Sequence, residues 1–275
     1  MNLDNLYPCA HTHAIQAAVF AVEWLNPLTP DQIEMVRKLG TKFKHAGLAF
    51  IHQQTLLEFK LNQANMTPDG VATPNTITNG AAGIVFSRSN DPNALVRTVT
   101  ITRNHCLVAV PDYTGWESVL TDVKTYLEIA LDFLAQHRGL SAVGLQYNNS
   151  FSWKDDPDSL DLRAVFAQDA MLPPNIFSNK GLWHAHQGNL QTHDSPLPHA
   201  LLGNMNIDMI DQAGERTLNV VSAQRAGLNQ ALWQANKKHQ PQLYELFSRL
   251  HDANKDALRQ LFTPELGARI HLQGG

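Results

Sequence analysis

The sequence predicts an α+β fold in which antiparallel sheets carry long amphipathic helices packed on one side. Many short segments alternate apolar and polar residues, which is typical of strands, and two longer segments repeat apolar residues every three or four positions, as helices do. The strand segments follow one another without a regular alternation of strand and helix, which favours antiparallel pairing. Because each half runs from strands to a long helix, we predict two similar α+β halves that share one core, at residues 1–153 and 154–275.

Two strand predictions have the clearest patterns. Residues 14–25 are mostly apolar at both odd and even positions, which predicts a central strand covered on both faces. Residues 140–153 alternate almost perfectly, which predicts a half-buried strand. Further strands are predicted at 49–61, 83–88, 96–102, 106–111, 182–192, 200–211 and 216–226, and a loop is predicted over 63–83.

Helices are predicted where a capping residue precedes a run of helical spacing. Thr29, Pro30 and Gln32 form a capping box that should start a helix reaching about His45. A second box at Thr114 and Glu117 should start a helix that ends before Gly139. Other helices are predicted over about 160–166 and 241–262, with a short one capped at 263.

Composition excludes few classes of protein but sets some limits. The chain has 275 residues, 43% of them apolar and 17% charged, which is typical of a folded globular protein. Its net charge of -4 gives no overall attraction to phosphates, so the composition argues against nucleic-acid binding. The two cysteines, Cys9 and Cys106, have no C-x-x-C spacing, so neither a disulfide framework nor a thiolate zinc site is expected. With no leader-like start and no apolar run long enough to span a bilayer, we expect a cytoplasmic protein without membrane contact.

Four motifs resemble a sporadically distributed family of uncharacterised bacterial proteins. They occur in the family's order over most of the chain: Pro27–Pro30, the Y-x-G-W-E turn at Tyr113–Glu117, the G-L-x-Y-x-N strand at Gly144–Asn149, and an L-H-x-x-N-K helix at Leu250–Lys255. The family commonly has arginines flanking its G-L-x-Y-x-N strand, where this chain has other residues. The resemblance brings no established chemistry, and the family's patchy occurrence suggests a defence or mobile-element system.

Histidines provide the candidate metal ligands. Two pairs, His11/His13 and His184/His186, are spaced two apart, so each pair would point to one face of a strand and could offer imidazole nitrogens to zinc. For the second pair, His193 or Asp194 could add a ligand. The alternative is that these are ordinary half-exposed strand positions. No cofactor is expected.

Ligand-binding residues are predicted from aromatic and amide side chains. Tyr113 and Trp116 could form a stacking platform, although a tight turn with a core tryptophan explains them equally. Asn149 interrupts the apolar face of the strand that carries Tyr147, so its amide either organises a polar pocket or binds backbone. A run of aspartates at 155–161 could bind a hard cation, but a solvated linker with helix caps is favoured.

The sequence favours a non-enzymatic binding protein that acts through protein–protein contacts, because common nucleotide and hydrolase motifs are missing. Its partner is expected to be another protein, a small ligand, or a second copy of the chain in a homodimer. The first alternative is a metal-dependent hydrolase or nuclease using His184 and His186. The second is nucleic-acid binding through the basic side of the first helix, formed by Arg37, Lys38, Lys42, Lys44 and His45.

Overall fold

The computed structural model describes residues 3–10, 12–60, 76–170, 172–212, 214–232 and 239–272, without the side chains of 55–60 and 76–81. Ten strands alternate with a few helices in chain order. The strands are β1 (Leu6–Pro8), β2 (Ile15–Trp24), β3 (Phe50–Lys60), β4 (Thr76–Ser87), β5 (Thr98–Thr102), β6 (His105–Val110), β7 (Leu140–Trp153), β8 (Trp183–His193), β9 (His199–Gln212) and β10 (Glu215–Leu232). The α-helices are α1 (Pro30–Val36), α2 (Gly40–His45), α3 (Trp116–Leu134), α4 (Leu162–Val165), α5 (Gln240–Leu261) and α6 (Pro264–Arg269).

All ten strands belong to one antiparallel sheet with the order β3-β4-β5-β6-β2-β7-β10-β9-β8, and β1 pairs with one end of β7. Strand β7 lies at the centre, because it pairs with β2 along one side and with β10 along the other. The register is continuous over most of β7 and β10, from the Arg216–Trp153 pair to the Gly227–Ala142 pair. Strands from both ends of the chain therefore form one hydrogen-bonded surface.

The predicted fold class is wrong in its architecture. The prediction was several antiparallel sheets in two similar halves, each shielded by a long amphipathic helix. The described residues instead form one large antiparallel sheet that dominates the structure, and most of the helices are short. The alternation of residues along a strand shows which of its side chains are buried, but it does not show which strands lie beside it. The sequence pattern therefore could not predict that β7 pairs with β10. The boundary predicted after residue 153 stays a prediction, although β7 ends there.

The two faces of the sheet differ. On the helix face, Phe20, Leu145 and Ala226 belong to one buried cluster with residues of α1, α2, α3 and α5, and Phe151 and Leu218 belong to a second with residues of α4, α5 and α6. The alternate residues, such as Val19 on β2 and Val221 on β10, are only half-buried. We call their side the open face. The prediction that β2 is central is confirmed, but the prediction that both its faces are covered is wrong.

Several local predictions also need correction. Helix α3 starts after Gly115, whose φ of 131° lies in the region that favours glycine, and no side chain caps it, so the predicted box at Thr114 is wrong. The predicted loop over 63–83 lies partly outside the described residues, and its end from Thr76 onward is strand β4. The box at Thr29 and Gln32 is confirmed, although a 3-10 turn at Arg37–Leu39 divides the predicted helix.

No helix in the described part of the chain is long and apolar enough to cross a membrane.

One buried amide ties α5 to the centre of the sheet. Asn254 is fully buried, and its Nδ2 donates to the carbonyl oxygens of Leu145 at 3.2 Å and Leu250 at 3.1 Å. Its Oδ1 accepts from the Ser222 hydroxyl at 2.6 Å. The amide thus joins β7, β10 and α5 through three hydrogen bonds, which explains why a polar residue interrupts the apolar side of α5.

We expect Asn254→Ala to lower the free energy of unfolding by about 2–3 kcal/mol, because Ser222 and the Leu145 carbonyl would lose their buried partner. Urea denaturation would measure the change. The matched control is Asn93→Ala in an exposed loop, with an expected change below about 0.5 kcal/mol. Equal losses in the two variants would contradict this role for Asn254.

Candidate functional site

Three of the four predicted ligand-binding residues meet in one cluster on the helix face, and the fourth member of the cluster is His251 of α5. The Trp116 and His251 rings stack with centroids 4.1 Å apart and planes 3° from parallel. The Tyr147 hydroxyl lies 2.9 Å from Nδ1 of His251, and the Tyr113 ring meets the Tyr147 ring edge-on at 5.8 Å. We call these four residues the aromatic cluster.

The aromatic cluster is assembled from three parts of the fold: the turn before α3, strand β7 and helix α5. Tyr147 points from the central strand β7 toward the helices and is 2% exposed. The turn at Gly115 brings Trp116 over the sheet, where its other contact is a stack on Phe20 at 5.8 Å. Three motifs of the family resemblance therefore converge here, since Tyr113 and Trp116, Tyr147, and His251 belong to one motif each.

Burial controls the protonation of the aromatic cluster. It lowers the pKa of His251 to about 4, and the positive charge of nearby Lys255 acts in the same direction while Asp252 opposes it. Burial also raises the pKa of Tyr147 far above its ordinary value. At neutral pH His251 is uncharged, and the tautomer of its imidazole sets whether Nδ1 donates or accepts the hydrogen bond with the Tyr147 hydroxyl.

Asn149 does not reach the aromatic cluster through a described hydrogen bond. It is 3% exposed, and its Nδ2 donates to the carbonyl oxygen of Val220 on the neighbouring strand at 3.1 Å. This contact matches the second of the two interpretations that the sequence left open, namely binding to backbone. His13 borders the cluster, with Nε2 3.1 Å from the Tyr113 carbonyl oxygen, and His11 lies outside the described residues.

His184 and His186 lie side by side on the open face of β8, each held by a residue of β9. Nδ1 of His184 is 2.6 Å from Oδ1 of Asp208, and Nδ1 of His186 bonds Oδ1 of Asn206. Because both oxygens are acceptors, each Nδ1 carries the proton and each Nε2 keeps its lone pair, which is the usual arrangement around metal-binding histidines.

The further ligands suggested for this pair are not brought to it. His193 lies at the opposite end of β8 and stacks on His199 with ring centroids 5.1 Å apart. In the part of the chain that the structure describes, no group of three or more histidine, cysteine, aspartate or glutamate side chains could hold a metal ion. His184 and His186 thus form a candidate two-ligand site at most.

Several of the other charged candidates have structural partners. Oδ1 of Asp156 accepts from the backbone N–H of Asp158 at 3.0 Å, and Oδ1 of Asp161 caps α4 by accepting from Arg163 N at 3.0 Å. These contacts fit the linker interpretation of the aspartate run. On the basic side of the first helix, Arg37 pairs with Glu34 at 2.9 Å.

The first prediction concerns the charge of His251. Its ring protons should titrate with a midpoint near pH 4 in an NMR titration, because burial disfavours the imidazolium. An unfolded histidine titrates near 6.5, so between about pH 4 and 6.5 the unfolded chain binds more protons than the folded chain. The contribution of His251 to stability is therefore complete above about pH 6.5 and is lost as the pH falls toward 4. A midpoint near 6.5 would show that the ring is not buried as described.

The second prediction concerns the histidine pair on β8. We expect Ni²⁺ or Zn²⁺ to bind weakly and to shift the NMR signals of His184 and His186 first, because two ligands leave most of the coordination shell to water. His184→Ala should abolish these shifts, whereas His45→Ala, which removes an exposed histidine far along the chain, should leave them unchanged. Metal-induced shifts that persist in His184→Ala would contradict the assignment.

Comparison with known proteins adds no family to these observations: no protein-family model matches the chain, and no curated protein matches it. The resemblance to the uncharacterised bacterial family therefore stays a prediction that rests on the four motifs.

Proposed function

We propose that this chain is a non-enzymatic binding protein that acts through protein–protein contact, and that the open face is its recognition surface. The observation that carries the proposal is the composition of this face. It combines an apolar centre, a polar end and almost no charged side chains, whereas surfaces that stay in contact with water are rich in lysine and glutamate.

The polar end of the open face consists of hydrogen-bonding residues aligned across four strands. Strand register places His184, Asp208, Asn219 and Ser150 in one row of neighbouring residues. The next row in the same direction contains His186, Asn206, Val221 and Asn148. Most of these side chains both donate and accept hydrogen bonds, so the rows can pair with a partner without burying a net charge.

The centre of the open face is mostly apolar. Its apolar residues are small or medium in size and come from five adjacent strands: the half-buried Leu107 and Ala109, Val19 and Ala21, Val221 and Ala223, and Leu202, and the buried Gly144. In strand register the uncharged Gln146 and Asn204 and the ion-paired Arg225 lie among them. At the edge strand β8, Leu190 is 69% exposed. An apolar centre beside a polar margin is the usual anatomy of a protein–protein interface.

Charged residues are rare on this face. The chain has 21 lysines and arginines and 25 aspartates and glutamates. By strand alternation, the described open-face positions of β2 and β5 to β10 include only Glu23, Arg225, Asp208 and Glu215 among them, and Glu215 lies at the start of β10. Two of these four neutralise each other, because the Arg225 guanidinium binds both carboxylate oxygens of Glu23 at 2.8 and 2.7 Å.

A second copy of the chain fits this surface. Two identical faces with so little net charge do not repel each other, and rows of amides can pair with the same rows across a two-fold axis because each amide is both donor and acceptor. Face-to-face packing of two sheets is also a common way to bury half-exposed strand residues. We therefore expect a homodimer whose interface is the open face.

Sedimentation velocity would test the proposal. The wild-type protein should sediment as a dimer, and Val221→Glu should sediment as a monomer, since two glutamates facing each other at the centre of the interface would weaken association by at least about a hundredfold. The matched control is Ser118→Glu on the exposed side of α3, which should remain dimeric.

Circular dichroism would confirm that Val221→Glu remains folded, as expected for a half-exposed position. A wild-type protein that stays monomeric up to about 100 μM, where a specific interface of ordinary strength would be occupied, would refute the proposed dimer. Dissociation by Ser118→Glu instead of Val221→Glu would place the interface on the helix side.

A further inference from the structure

A polar cavity lies on the helix face, between α5 and the strands β8, β9 and β10. It has a volume of about 390 Å³, and its polar lining includes Gln187, Asn189, Gln224, Gln260 and Asp169. In strand register, Gln187 of β8 lies beside Met205 of β9, and Met205 lies beside Ser222 of β10. The Ser222 hydroxyl binds Asn254 of α5, so these side chains point to the helix face. The cavity therefore lies on the opposite side of the sheet from the open face. Cavities of this size accommodate small ligands.

Gly203 lets two amides of this cavity converge. In strand register it lies between Asn189 on β8 and Gln224 on β10. A Cβ atom at this position would collide with Oδ1 of Asn189 and would come within 2.9 Å of Oε1 and 3.3 Å of Nε2 of Gln224. The two side chains therefore lean over the glycine from both sides and present their amides next to each other.

Gln224 is the residue that points to a ligand. It is 7% exposed, and its amide forms no hydrogen bond with another described residue, although its polar atoms are not sealed from solvent. The amide therefore reaches the cavity with both its donor and its acceptor free of protein partners. Its polar atoms adjoin the cavity, where an occupant can satisfy them.

We propose that this cavity binds a neutral small molecule through a planar amide group, either a carboxamide or a ring lactam. Each amide side chain offers a carbonyl acceptor and an NH₂ donor, and a planar amide can pair with such a group at two points. No lysine, arginine or histidine is among the described residues that line the cavity, so an anion would find no counter-charge. The single carboxylate, Asp169, is exposed.

The apolar part of the lining agrees with a flat ligand. Met205, Ala257 and Leu261 line the cavity beside the amides. These side chains can contact the faces of a planar group while the amides bind its edge, which is the general division of roles in small-molecule sites. The site is independent of the proposed dimer interface, because it lies on the other face of the sheet.

Nicotinamide, uracil and nicotinate are suitable probes, since nicotinamide and nicotinate have the same ring and differ in carboxamide against carboxylate. In ¹⁵N-labelled protein, nicotinamide and uracil should shift the side-chain NH₂ signals of Gln224 and Asn189, and nicotinate at the same concentration should not. The shifts should also occur in the monomeric Val221→Glu variant. Equal binding of nicotinate would overturn the proposed ligand class, and no shift with any probe would overturn the site.

Two variants separate binding from folding. Gln224→Leu should weaken nicotinamide binding at least tenfold while leaving the urea midpoint nearly unchanged, because the amide it removes forms no hydrogen bond with another described residue. Gly203→Ala should also weaken binding by pushing the two amides apart. Gln136→Leu, at an exposed position just after the end of α3, is the matched control and should change neither property. Undiminished binding in folded Gln224→Leu would overturn the role of this residue.

Discussion

The structure depends on the pairing of β7 with β2 on one side and β10 on the other, which keeps one register over most of its length. This pairing joins strands from distant parts of the chain into one sheet and fixes their register. Because side chains alternate across a strand, the register decides for every strand which residues face the helices and which face outward. The aromatic cluster, the polar cavity and the open face all follow from that single assignment.

The two faces have different chemistry for this reason. On the helix face, apolar burial is interrupted at a few positions by polar groups, and most of those are paired: Asn254 with Ser222 and Leu145, and Tyr147 with His251. Gln224, whose amide opens into the polar cavity, has no such partner among the described residues. On the open face, most of the half-buried side chains are uncharged, and they do not form a second buried core. A sheet with these two faces serves as a scaffold on one side and as a contact surface on the other.

The sequence predicted single elements better than their assembly. The alternation over 140–153 predicted β7 correctly, and the helical spacing of apolar residues over 116–134 predicted α3 correctly. An element that buries one side repeats its apolar residues at a fixed interval, which the sequence shows directly. The single sheet could not be predicted in the same way, since pairing partners leave no periodicity. His251 appeared in the sequence only as part of a motif, and its meeting with Trp116 and Tyr147 depends on how α5 crosses the sheet. The sequence does contain a sign of the cavity, because Gln187, Asn189 and Gln224 occupy inward-facing strand positions where apolar residues are expected.

The central claim is that the open face, and not the helix face, meets a second copy of the chain. Spin labels at Asn148→Cys on the open face and, separately, at Ser118→Cys on α3 would allow distances between the two copies to be measured by pulsed electron paramagnetic resonance. The account predicts a short distance for the label at position 148 and a long one for the label at position 118. A short distance at 118 together with a long one at 148, or no distance between copies at either position, would contradict it.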